Sequence, residues 1–300
     1  MIMATRRTLA REAMLKSIEV RTDAELGHNA PIDIYGLCEK LRVPVRFVDI
    51  GSMEGMYLRS PRVQILISAL RPLPRRNFTC GHELGHHVFK HRMTIDELQD
   101  ELSVGRTFQP REFLVQTFAG FLLMPTIGVR KAFALRGWDV TRATPGQLFT
   151  VACSFGVGYA TLINHMAYGL EIIPDARARE LLRVTLARIR RHTLGTESAA
   201  PLIVVDRHWL LPTLDAEVDT QLLLPNGTEV ESDGLVWRAD LPGGRLFQAS
   251  RPGIFRVQCA NLDWTAFARI SRYQYVGFSQ YRHLEDADDD DDEGGPPGAR

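Results

Sequence analysis

Apolar and polar positions change their period several times along the chain, and each change predicts an element. Residues 4–21 (ATRRTLAREAMLKSIEVR) place Leu9, Ala13 and Ile18 at near-helical spacing among charges, which predicts an amphipathic opening helix packed on the adjoining domain. Pro31–Leu41 (PIDIYGLCEKL) reads as a short helix with proline at its start, and Val43–Ile50 alternates as a strand does. After a turn at Gly51–Gly55, Met56–Arg59 and Val63–Ala69 predict two more strands around Ser60-Pro61-Arg62. A helix is then expected from Leu73 or Pro74 to about Lys90. Beyond a polar stretch, Met93–Gly105, with Asp96, Glu97, Asp100 and Glu101, the apolar run Glu112–Met124 predicts a buried helix stopped by Pro125.

Leu148–Leu170 has the spacing of a helix-turn-helix pair, with Ala152 in the first helix, Gly156 at the turn and Leu162 in the second. Its second helix, YATLINHMAYGL, offers no arginine or lysine to phosphates, so a structural helix pair is the expectation and DNA contact the alternative. Asp175–Arg191 predicts one helix with an apolar stripe near Leu181, Leu182 and Ile189 and arginines at 177, 179, 183, 188, 190 and 191. That basic face is either simply solvated or meets an acidic partner. From Pro201 onward, short apolar runs (LIVV, TQLLL, GLVWR, RLFQA, IFRVQ) separated by Pro- and Gly-containing turns predict a small antiparallel β domain ending near Leu284.

The expected class is therefore α+β. The divisions are residues 1–143, a sheet-and-helix domain with its N-terminal helix; 144–195, a helical, helix-turn-helix-like segment; 196–284, a small β-rich domain; and 285–300, an acidic tail disordered by composition. Three hundred residues with 45% apolar content suit about two domains with a sizeable core. No apolar run reaches the length of a membrane span, and the charged N-terminus lacks a signal-peptide core, so a cytoplasmic location and no membrane partner are expected. The net charge of zero conceals an asymmetry: eight acidic residues and one arginine fall in 285–300, leaving a moderately basic body. Cys38, Cys80, Cys153 and Cys259 form no C-x-x-C pair, and Cys80 reads as a buried free thiol.

The chemistry concentrates in FTCGHELGHHVFKH, Phe78–His91, which contains the H-E-x-x-H pattern His82-Glu83-Leu84-Gly85-His86. At about 3.6 residues per turn, positions i and i+4 stack on one face, so both imidazoles reach one metal ion. Glu83, about 100° round the helix, is placed to touch a water held by that metal and to act as general base. Zinc with such a base hydrolyses a carbonyl substrate, here a peptide bond, although small peptides or amides need the same groups. An amphipathic helix carrying two histidines and a glutamate by chance is the alternative. His87 and His91 face other directions on an ideal helix and are expected to be solvent-facing or packed.

Together with the helix ending FAGFLLMP, the upstream PIDIYGLCEKL, the strand and the EGMY turn, this segment resembles the ImmA/IrrE family of metallopeptidases over roughly residues 30–130. The resemblance implies a zincin-like, cytoplasmic zinc endopeptidase. Such an enzyme cleaves a helix-turn-helix repressor and releases transcription in stress responses or mobile elements. Carried over by position, His82 and His86 would be metal ligands and Glu83 the base. The family commonly has a glutamate four residues before the Phe-Ala pair, and Leu114 stands there in this chain. Glu112 is the nearest acid, about 200° away in an identical register. Either the helix is shifted so that Glu112 supplies the third ligand, with Gln116 beside it on the same face, or the ligand comes from elsewhere. The other reading is a catalytically inactive peptidase fold serving as a regulatory or DNA-binding module.

Overall fold

A computed structural model describes residues 2–91, 94–97 and 108–284. Asp100, Glu101 and the acidic tail lie outside the described residues. The opening helix α1 (Ile2–Asp23) packs along a later, apolar helix. Its buried stripe runs through Ala13, Ser17, Val20 and Arg21, whereas Ile18, expected on that stripe, is exposed. Arg21 is 1% exposed and donates to the carbonyls of Leu122 and Ala30, holding the end of the partner helix. Burial lowers the pKa of its guanidinium to about 10.

Helix α2 (Ile34–Lys40) starts after Pro31 because Asp33 caps it, accepting from the Tyr35 and Gly36 amides at 3.1 Å. Strands β1 (Val45–Val48), β2 (Met53–Leu58) and β3 (Gln64–Ser68) lie close to expectation. β1 runs parallel to β3 and β2 antiparallel to it. Helix α3 (Leu73–Val88) lies against β2 and β3. β4 (Thr94–Glu97) joins the free edge of β2, within a stretch read only as polar.

Pro125 does more than stop the apolar helix α4 (Pro110–Leu123), because a further, unexpected helix, α5 (Thr126–Leu135), starts immediately after it. Proline's missing amide ends one ladder and its fixed φ suits the entry to the next. By length and composition the run Pro110–Leu135 could cross a membrane, but 61% of its apolar window is buried inside the protein. Helices α6 (Pro145–Ser154) and α7 (Tyr159–Asn164) meet at Gly156, whose φ of 63° is left-handed, and α7 passes into a π turn at His165–Gly169. The single helix expected at Asp175–Arg191 is two, α8 (Asp175–Leu182) and α9 (Leu186–Leu194). Thr185 divides them by capping α9, its hydroxyl accepting from the Arg188 amide.

The C-terminal region is two four-stranded sheets around a second core that includes Leu222, Phe247, Val257 and Ile270. One sheet contains β5 (Leu202–Val204), β7 (Gln221–Leu224), β9 (Leu235–Leu241) and β10 (Gly244–Ala249). The other contains β6 (Thr213–Glu217), β8 (Glu229–Val230), β11 (Gly253–Cys259) and β12 (Trp264–Ser271). The arrangement is mixed rather than antiparallel: β5 pairs with β7, and β6 with β12, in parallel. The chain visits the other sheet between β5 and β7, which makes a parallel return possible. Finally β13 (Gly277–Phe278) leaves this region and adds to β1, giving the first sheet the order β13-β1-β3-β2-β4. The molecule is thus a mixed α/β structure of helices and small sheets.

His165 joins the π turn to α4. Its Nε2–H donates to the Met124 carbonyl at 2.9 Å, its ring meets Phe121 edge-on, and Gly120 and Gly169 leave room for it. Burial pushes its pKa down to about 4 from 6.5. The unfolded chain therefore binds the extra proton between these values. The resulting stability is fully present above about pH 6.5 and is lost as pH falls towards about 4, on the order of 3 kcal/mol in total. In urea titrations across that window, His165→Gln is expected to flatten the loss by about one proton; an unaltered slope would contradict it.

Candidate metal centre

Helix α3 is built for close approach on two sides. A Cβ on Gly81 would sit 3.4 Å from the Ala119 Cβ, and one on Gly85 only 3.0 Å from the Val115 Cβ and 3.1 Å from Phe118. These glycines, four residues apart, let the backbone of α3 lie against α4. On the sheet side, Gly55 of β2 faces the buried Glu83: a Cβ there would be 2.8 Å from Oε1 and 2.5 Å from Thr79 Cγ2. The glycine of the EGMY turn thus lies inside a strand, where it leaves space for the carboxylate.

Crossing at the glycines brings the N-terminal turn of α4 over the histidines. Glu112 Oε2 lies 3.3 Å from His82 Nε2 and 3.6 Å from His86 Nε2, and the two Nε2 atoms are 3.3 Å apart. Ligand atoms about 2.0–2.2 Å from a tetrahedral zinc stand about 3.3–3.6 Å from one another, so the donor set has the spacing of a zinc site. Two imidazoles and a carboxylate are also the donor types that zinc takes. The His82 imidazole, then that of His86, hold the Glu112 carboxyl well below the usual carboxylate range. His86 is fully buried, whereas the Glu112 side chain is 37% exposed and forms the open side of the cluster.

Leu114, at the position where the family's glutamate is expected, points into the core, and Gln116 is exposed. His87 is packed: its Nδ1 lies 3.0 Å from the Tyr57 hydroxyl on β2, and burial lowers its pKa. Cys80 is a buried free thiol whose Sγ is 3.6 Å from that of Cys38, two cysteines far apart in sequence.

His91 is the residue that helical spacing misplaces. On an uninterrupted helix it would face away from His86, but α3 ends at Val88 and Lys90 adopts a left-handed φ of 56°. The amide of His91 then bonds back to the His86 carbonyl, and that of Lys90 to the His87 carbonyl, the double bond of a Schellman ending. This reversal brings His91 Nδ1 to 3.0 Å from His86 Nδ1. His86 thus turns Nε2 to the cluster while its other nitrogen is held from behind, as a ligating histidine requires. Lys90 carries no glycine-like signal that would reveal the turn in the sequence. His91→Ala is expected to weaken zinc affinity by about 10- to 100-fold without unfolding the chain, measured by competition with a chromogenic chelator. Equal affinities in both proteins would assign His91 to packing alone.

A helix presenting an H-E-x-x-H pair to a carboxylate from a neighbouring helix is an arrangement of the metallopeptidase type. Residues 38–166 match the Peptidase_M78 family model, the IrrE N-terminal-like domain, in line with the resemblance to the ImmA/IrrE family. No curated protein matches the chain.

Proposed function

We propose that the protein is a zinc-dependent endopeptidase with His82, His86 and Glu112 as metal ligands and Glu83 as general base. The observation that carries this reading is the convergence of the three ligand atoms within 4.8 Å of one another, two from α3, which also carries Glu83, and one from the first turn of α4. Zinc bound there would act as a Lewis acid towards the scissile carbonyl and bring a water molecule towards ionisation near neutral pH. Glu83, buried on α3 against Gly55 of β2, would serve as the base for such a water and as the donor to the leaving amine. His91 fixes the ring of His86, and Tyr57 fixes that of His87.

The zincin-like class and a helix-turn-helix repressor as substrate are parts of this proposal that rest on the resemblance to the ImmA/IrrE family. So is a role in transcription regulation. An extended substrate added to the first sheet would pair with β4, since β4 occupies the edge of β2. The α6–α7 pair is assigned a structural role: Leu148, Leu162 and Ile163 are in the core. The inactive alternative drew its motivation from Leu114, and a carboxylate from Glu112 beside both histidines favours the catalytic reading.

The test is metal analysis combined with cleavage. The chain is expected to hold about one zinc, and Glu83→Gln to retain that zinc while losing cleavage of a repressor encoded beside it by at least about a hundredfold. A Glu83→Gln protein that cleaves normally would remove Glu83 as the base. A chain that takes up no zinc would overturn the catalytic reading.

A further inference from the structure

Away from the metal cluster, α2, the start of α3, the α6–α7 turn, α9 and strands β5 and β6 enclose a cavity of about 410 Å³. That volume falls in the range of small-molecule sites. Neither His82, Glu83, His86 nor Glu112 lines it. Phe149, Tyr159, Leu202 and Trp209 give it an apolar, aromatic wall.

Asn77, also in the wall, donates from Nδ2 to the Gly156 carbonyl at 2.8 Å, which ties the start of α3 to the α6–α7 turn.

The charged residues of the cavity wall are ion-paired, with one exception. Asp33 and Asp215 pair with Arg269, Asp215 also with Arg282, and Glu217 with Arg76. Arg71 is answered by Glu54. Arg190, in the same wall, donates through Nε to the Ser198 carbonyl at 3.1 Å, and no carboxylate pairs with it among the described residues. Arg190 is thus the charged residue of the lining without an ion-pair partner among the described residues, and it stands beside the aromatic wall.

We propose that this cavity binds a small aromatic organic anion. Its ring system lies between Phe149, Tyr159 and Trp209, and its acid group meets Arg190. Such a ligand would contact the metal-bearing helix directly, because Leu73, Pro74 and Asn77 form its first turns. The site is independent of the peptidase reading and can be tested without any cleavage assay.

The probe is 8-anilinonaphthalene-1-sulfonate, titrated by fluorescence into the folded full chain. Saturable binding of one molecule per chain is expected. Arg190→Gln should weaken it at least tenfold, and Arg190→Lys should retain it within about threefold, separating charge from packing. Ala199→Trp, an exposed position in the cavity wall, should block binding with little change in melting temperature. The uncharged analogue N-phenyl-1-naphthylamine should bind no better to the wild type than to Arg190→Gln. Non-saturable binding, or binding unaffected by Ala199→Trp, would overturn the site. Equal binding of the charged and uncharged probes would overturn the anion.

Discussion

Replacing Glu112 with alanine is expected to lower zinc affinity by about a hundred- to a thousandfold. This range comes from sharing a zinc-site free energy of about 10–16 kcal/mol among roughly four ligands. Glu112 is partly exposed in the first turn of α4, so its loss removes a ligand without opening the core. The melting temperature of the metal-free protein should move by no more than a few degrees. Chelator competition and calorimetry on the same preparations measure both quantities. An affinity unchanged by Glu112→Ala would mean that the third ligand lies elsewhere. Leu114→Glu alone should not restore binding, because Leu114 faces the core.

The second large effect is expected from Gly85→Val. A single methyl group at Gly85 would already meet Val115 at 3.0 Å and Phe118 at 3.1 Å, and the two further methyls of valine have no space on that face. Overpacking of this kind costs about 1–3 kcal/mol, occasionally more, and is relieved by moving the helices apart. That displacement separates Glu112 from His82 and His86. Gly85→Val should therefore lower both the melting temperature and the zinc affinity, whereas a surface change of similar size, such as Ala134→Val on α5, should lower neither appreciably. A Gly85→Val chain of normal zinc affinity would show that the helix crossing does not set the position of Glu112.

The metal helix was legible because its information is local: H-E-x-x-H needs only the helical repeat to bring His82 and His86 together. Glu112 was not legible in the same way. Its distance from Leu114 along α4 is a matter of register, but its distance from the histidines depends on how α4 crosses α3 at Gly81 and Gly85, and no periodicity within α4 contains that. His91 was missed because a helix ending on a non-glycine left-handed residue reverses the direction that a continued helix would give it. The division of α8 from α9 was available in Thr185, a good capping residue inside a charged, helix-favouring stretch. In the C-terminal region the strands were announced by apolar runs and turns. Their parallel pairings arise from alternation between two sheets, which adjacent turns do not encode.

The last strand has a consequence for how the molecule comes apart. β13 completes the sheet that begins with β1, Arg269 reaches the Asp33 that caps α2, and the buried Arg76 of α3 pairs with Glu217. The C-terminal part of the described chain is thus tied to β1, to the cap of α2 and to the metal helix itself. Local opening of the C-terminal sheets alone would strip a strand from β1 and strand a buried arginine on α3, so the two cores belong to one cooperative unfolding unit.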